Sequence, residues 1–186
     1  KEHLSFGIFV KNQVDSLRKH QIDVLVAAND NPATGKKNTL SKYSKWAKDV
    51  LSKGFKHKKD ISISHAHYVF PSGVFSLMMK KMFGIPYIVT AHGGDIERMA
   101  KKSTKIRNWT AKILQESSAV IAVGPVLADQ IEKDYGIPRE KIHICSMGVN
   151  RQIFKPGNKR EVRSELGIEE DTFTYEKLYD KLMGRK

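Results

Sequence analysis

Apolar positions recur along this chain with two alternating periods. Short runs rich in apolar and β-branched residues stand at 23–28 (DVLVAA), 61–65 (ISISH), 87–91 (YIVTA), 119–123 (AVIAV) and 142–146 (IHICS). Between them the apolar spacing is helical, over 9–20, 40–55, 73–83, 106–116 and 126–135. Strands that alternate with helices build βα units around a parallel sheet. Runs apolar on both faces need helices above and below. The pattern therefore predicts an α/β fold with a doubly wound parallel sheet flanked by helices.

Glycine and proline mark the joints. Phe83-Gly84-Ile85-Pro86 and Tyr135-Gly136-Ile137-Pro138 each stop a helix and lead back toward the sheet. Glycine accepts the left-handed conformation past a helix end, and proline cannot continue the helix. Pro71-Ser72-Gly73 opens the third helical stretch. Two joints break the pattern. The chain passes from polar residues directly into a helical stretch (Phe9, Val14, Leu17), with no strand before it. Near the other end a charged helix at 161–167 precedes Asp171-Thr172-Phe173, which begins like a strand, yet Tyr175, Leu178, Tyr179 and Leu182 follow at helical spacing.

A chain of 186 residues, 40% hydrophobic, suits one domain with a sizeable core and excludes wholesale disorder. No apolar run approaches the roughly 18–20 residues of a membrane span. The first residues, KEHLSFGIFVKNQ, lack the features of a secretory signal. The single cysteine, Cys145, makes no internal disulfide; its apolar strand context predicts a core position, and the compartment reads as reducing and cytoplasmic.

Charge changes the picture more. Thirty-three Lys plus Arg against twenty Asp plus Glu give +13, which favours an acidic partner: a nucleic acid, an anionic membrane surface or a phosphorylated small molecule. Residues 36–59 hold nine lysines and one acid, Asp49. Leu40, Tyr43, Ala47, Val50, Leu51 and Phe55 follow helical spacing there, with Trp46 beside them. This is either an amphipathic helix packed on the sheet, a membrane-surface helix turning Lys42, Lys45, Trp46, Lys53 and Lys56 toward anionic headgroups, or a nucleic-acid stripe.

Candidate chemistry gathers at strand ends, where open α/β sheets bind ligands. His65-Ala66-His67-Tyr68 leads into Pro71-Ser72-Gly73, whose amides open a helix and suit an anion. Ala91-His92-Gly93-Gly94-Asp95 repeats the placement at the next strand end; the glycines admit close approach of a ligand, and Asp95 suits a helix cap. Gly124-Pro125 makes a third such turn. A metal-dependent hydrolase built on His65, His67, His92 and Asp95 is disfavoured. The two rings of His65-x-His67 are expected on opposite faces unless the backbone bends, and barrels that use this pattern need about 250 residues. No G-x-G-x-x-G and no Walker A loop is present, which disfavours a dinucleotide cofactor and a P-loop nucleotidase; neither a cofactor nor a metal is expected.

Five segments in order, FGIFVKNQVDSLRK, DISISHAHYVFPSG, FGIPYIVTAHGGDI, SSAVIAVGPVLADQI and YGIPREKIHICSMGVNRQIFKP, resemble the N-terminal half of a GT-B glycosyltransferase of family 4. The nearest likeness is to bacterial cell-surface polysaccharide enzymes, such as those for teichuronic acid or capsule, and it runs from about Phe6 to Phe173. The resemblance implies a Rossmann-like domain that binds the acceptor and faces a second domain that binds a nucleotide-sugar donor, a UDP-sugar by expectation. It further implies retaining, metal-independent transfer to a lipid-linked or surface-glycan acceptor. On this likeness His92 is the catalytic residue, stabilising charge that develops on the donor sugar. Gly7, Gly93, Gly94, Asp95 and Gly124 lie on the donor side, and His67, Tyr68 and Ser72 face the acceptor. Gly148-Val149-Asn150 and Phe154-Lys155-Pro156 resemble the approach to the interdomain linker, with Asn150 replacing the usual acid.

The organisation so implied is 1–156 as the N-terminal Rossmann-like domain without its first strand, 157–173 as linker and the start of an absent donor domain, and 174–186 as the enzyme's C-terminal helix packing back. The isolated chain is expected to lack donor binding and turnover. Its expected setting is cytoplasmic, peripheral on the inner face of the plasma membrane. The rivals are a basic non-catalytic nucleic-acid- or membrane-binding module and the small metal-dependent hydrolase. Nucleic acid is not an expected partner, because the aromatics interleave with core positions instead of forming a stacking surface.

Overall fold

The computed structural model describes residues 7–28, 36–149, 151 and 155–169, with backbone alone at 36–40. In chain order the elements are α1 (Ile8–Lys19), α2 (Lys36–His57), β1 (Ser64–His67), α3 (Ser72–Phe83), β2 (Tyr87–Ala91), α4 (Thr104–Glu116), β3 (Ala119–Ala122), α5 (Pro125–Tyr135), β4 (Ile142–Ile144) and α6 (Lys159–Glu165). A π-helical turn, Asp95–Met99, and a 3-10 turn, Ala100–Lys102, lie between β2 and α4. The chain forms two compact units, Lys1–Met147 and Gly148–Lys186. In the second, Asn158 caps α6 by accepting from the Arg160 amide at 3.0 Å.

The first unit is an α/β, Rossmann-like domain. Among the described residues it has four strands, all parallel, in the order β1-β2-β3-β4. Parallel neighbours need crossover helices, which α3, α4 and α5 supply, and right-handed crossovers in sequential order place all three on one face. The register aligns Ala66 with Val89, Val89 with Val120 and Val120 with Ile142. These four form a buried row across the sheet, and Leu77, Ile113, Leu114, Leu127 and Ile131 join it from the helices. Tyr87 is wholly buried, and its hydroxyl donates to the Ile113 carbonyl at 2.7 Å, so the one polar atom it brings into the core is satisfied. Gly73 lets α3 approach α4 closely: a Cβ there would lie 2.5 Å from Ile113 Cγ2.

The Gly-Ile-Pro stops behave as expected. Gly84 and Gly136 are left-handed (φ 71° and 63°), and their amides donate back to the Lys80 and Glu132 carbonyls. The isoleucine that follows each one is buried.

Other expectations fail for local reasons. Residues 23–28 form no strand. They pair with no strand among the described residues; side chains take three of their carbonyls, Arg18 at Val24, Lys53 at Val26 and Trp46 at Ala27, while Leu25 and Val26 stay exposed. β1 begins at Ser64 and not at residue 61, because its amide meets the Pro86 carbonyl and β2 itself begins just past that proline. Cys145 is exposed and not a core residue. β4 stops at Ile144 on the edge of the sheet, so the alternation ends before the cysteine reaches cover. The expected strand onset at 171–173, the helix at 174–186, Asn150, Phe154 and the segment before Gly7 lie outside the described residues.

Candidate functional site

β1 and β2 run side by side, with His67 opposite Thr90, so their C-terminal ends deliver His67-Tyr68 and His92 to one place. His67 Nδ1 lies 3.2 Å from His92 Nε2, and His65 Nε2 lies 2.7 Å from the Thr90 hydroxyl. The expected opposite facing of His65 and His67 is wrong: residues two apart on a strand share a face, and their rings stack at 4.5 Å. Tyr68 and Phe9 close over His92, with ring centroids at 4.5 and 4.7 Å. Phe9 and Thr90 were not among the candidate site residues, and His65 was one only for the disfavoured metal site. Phe9 sits two residues past Gly7, but its place in a helical apolar pattern made it read as core.

Asp95 ties the two strand ends together. One carboxylate oxygen accepts from the Val69 amide at 2.7 Å and the other from the His92 amide at 3.0 Å. The residue is only 3% exposed, with both carboxylate oxygens engaged by backbone amides. Its part in the site is to fix the backbone on both sides. Burial raises its pKa, opposed by the backbone N–H groups of Val69, His92, Asp95 and Ile96. Tyr68, directly before Val69, is left-handed (φ 69°), a conformation strained for a bulky residue and often found where function requires it. Its amide donates to the Thr90 carbonyl, and its ring is 40% exposed.

The remaining candidates frame this cluster loosely. The Gly93 carbonyl accepts from the Ile96 and Glu97 amides, which closes the turn after His92, and the Arg98 side chain lies beside Gly94. Ser72 opens α3 half-buried, but the Gly73 amide is not free for an anion: it donates to the Val69 carbonyl at 3.0 Å. Gly7 precedes α1, and Gly124 precedes α5 at the end of β3. Among the described residues no group of three or more His, Cys, Asp or Glu side chains is placed to hold a metal.

The basic helix α2 is sorted by the fold. Lys45 and Lys56 are exposed. Trp46 is not a surface anchor: its indole donates to the Ala27 carbonyl at 3.0 Å and its ring packs 4.8 Å from Phe75. Lys53 is held by the Val26 carbonyl and Asp49, and Lys42 is half-buried. No helix of the described residues is long and apolar enough to cross a membrane.

Burial lowers the pKa of His65, His67 and His92 to about 4 each, and the neighbouring imidazoles add to the effect. All three rings are therefore neutral at pH 7. The folded pKa lies below the ordinary 6.5, so the unfolded chain binds these protons first. Stability is intact above about pH 6.5 and falls as the pH drops toward about 4. The rings are partly exposed and coupled, so the loss at pH 4 is expected to be about 2–4 kcal/mol, well short of a simple sum. Urea melts at pH 7.5 and 4.5 on the wild type and His67→Gln measure it; the variant should lose less on acidification, and an identical drop in both would contradict the assignment.

The sequence profile described as Glycosyltransferase Family 4 matches residues 7–153. The chain is 26% identical over 116 residues to a D-inositol 3-phosphate glycosyltransferase of Paenarthrobacter aurescens, covering 59% of this chain and 28% of that protein. It is 29% identical over 107 residues to a putative teichuronic acid biosynthesis glycosyltransferase of Bacillus subtilis, covering 56% and 26%. An uncharacterised glycosyltransferase of Methanocaldococcus jannaschii is 27% identical over 103 residues, covering 55% and 28%. The matched stretch thus spans about a quarter of the length of these relatives.

Proposed function

The chain belongs to glycosyltransferase family 4, and from that premise we propose that it is the acceptor-side domain of an enzyme moving a sugar from a UDP-sugar to a lipid-linked or cell-surface glycan acceptor. The observation that supports this best is the cluster of His67, Tyr68 and His92 at adjacent strand ends, fixed from beneath by Asp95. In the transfer the bond from the anomeric carbon to the diphosphate oxygen breaks, and the nucleoside diphosphate leaves with the electron pair. The acceptor hydroxyl oxygen bonds to that carbon, and its proton passes to the departing phosphate oxygen. Approach from the face the diphosphate leaves gives retention.

Positive charge builds on the sugar as the bond breaks. A histidine with a pKa near 4 suits that place, because its neutral ring exchanges a hydrogen bond with a sugar hydroxyl and adds no repelling cation. The exposed Tyr68 ring offers a flat face to the apolar side of an acceptor ring. Gly7, Gly93, Gly94 and Gly124 border the donor side without side chains to obstruct it. The 186-residue chain alone is expected to bind acceptor without turnover.

The exposed lysines of α2 support placement on an anionic membrane surface, where lipid-linked acceptors reside; each near-surface lysine contributes about 1 kcal/mol. The test of the catalytic proposal is transfer by the full-length protein from a panel of labelled nucleotide sugars to bacterial lipid extract and to a phosphorylated polyol, with and without EDTA. Transfer from a UDP-sugar to lipid extract, unchanged by EDTA and with the anomeric configuration retained, is the expected result. Absence of transfer from every nucleotide sugar overturns it, and transfer to the soluble polyol alone overturns the lipid-linked acceptor.

A further inference from the structure

The corner where the end of α2 meets the end of α3 carries an apolar group that the fold leaves uncovered. Gly54 is buried against α3, with Met79 and Phe83 so near that an added Cβ would lie 3.0 and 3.3 Å from them. That close approach leaves the next residue, Phe55, at the rim, 64% exposed, with its ring 6.2 Å from Phe83. On α3, Met78 and Met82 stand one turn apart and are both exposed, Met82 by 58%. Exposed lysines share this stretch of the chain. Lys58 Nζ sits 4.7 Å over the Phe55 ring, and Lys45, Lys48, Lys56 and Lys59 are exposed on or just past α2. None of these five makes an ion pair among the described residues; Asp49 and Glu116 are taken by Lys53, Lys80 and Lys81, and the exposed Asp60 lies 3.9 Å from His57.

We propose that this corner is an interfacial membrane anchor: Phe55 and Met82 enter the headgroup region of an anionic bilayer, and these lysines hold its phosphates. This rests on the membrane placement proposed above and replaces Trp46 with Phe55 as the residue that enters. The charge pattern selects the occupant. A lysine over the Phe55 ring and four more exposed on or just past α2, together with uncovered aromatic and thioether side chains, match a surface that is anionic outside and apolar just beneath. A bare polyanion has no use for the apolar part. A second copy of this chain would bring lysines against lysines.

Flotation with vesicles of phosphatidylcholine containing 30% phosphatidylglycerol at about 0.1 M salt tests it on the full-length protein. The wild type should float, and the Phe55→Ser/Met82→Ser double variant should partition at least about tenfold more weakly, because it has no large apolar side chains to bury in the bilayer. Phe55→Leu, which keeps an apolar side chain, should partition within about twofold of wild type, and unchanged melting of all variants separates anchoring from folding. If the wild type floats and the double variant floats equally well, the apolar anchor is overturned while membrane placement stands. If Phe55→Leu loses as much as the double variant, insertion of apolar surface is overturned likewise. If the wild type stays unbound, both fall.

Discussion

An Asp95→Ala variant should lose about 3–5 kcal/mol of stability and melt roughly 10 °C below the wild type. The residue is almost wholly buried, and each carboxylate oxygen accepts from a different backbone amide, Val69 past the end of β1 and His92 past the end of β2. Hydrogen bonds to a charged group are worth about 1.5–3 kcal/mol each, and the buried Val69 amide is left without a partner. Against a typical total of about 5–15 kcal/mol this is a large fraction. The loss is local first: without Asp95 the Val69 and His92 amides lose their shared partner, and the tie between the two strand ends past the left-handed Tyr68 is gone. Asp95→Asn separates the parts. Its one carbonyl oxygen restores one bond, while its amide group meets the other N–H donor to donor, so it should recover about half of the loss. Thermal melts by circular dichroism decide it; an alanine variant that melts within about 2 °C of wild type would contradict the tie between the strands.

The alternation of strand-like and helical runs was enough to place α3, β2, α4, β3 and α5 to within two residues, because glycine or proline bounds α3 and α5 and opens β2, serines bound α4, and both strands lie between neighbours in the sheet. Residues 23–28 show where the pattern misleads: an apolar run becomes a strand only beside a free ladder, and here side chains take the carbonyls. Cys145 misleads similarly, since alternation does not announce that β4 ends one residue earlier at the edge of the sheet.

The site was half legible. Placement of His67, Tyr68 and His92 at strand ends follows from the βα pattern, and the shared register of β1 and β2 makes them neighbours. The inward turn of Asp95 was not legible, because a cap and a cross-strand tie use the same residue type at the same kind of position. Phe9 was hidden for a related reason: an apolar residue in an amphipathic helix reads as core whether it packs on a sheet or on an imidazole. Along α2 the period identified an amphipathic helix, but not that Trp46 would find the Ala27 carbonyl and Phe75 while Phe55 stood outside.

The central claim is that the paired strand ends carry the chemistry, with His92 beside the reacting sugar. His92 is bonded to His67 through Nε2 and enclosed by Phe9 and Tyr68, so alanine removes one polar group from a preorganised place without disturbing the core row beneath it. Losing one such preorganised partner of a charged transition state lowers kcat by about 100- to 1,000-fold. The measurement that tests this most directly is kcat for sugar transfer by the full-length protein, wild type against His92→Ala, at saturating donor and acceptor, with melting temperatures taken on the same samples. A reacting sugar beside His92 predicts a kcat at least about a hundredfold lower at an unchanged melting temperature. A His92→Ala enzyme that turns over within about threefold of wild type would show that the reacting sugar lies elsewhere.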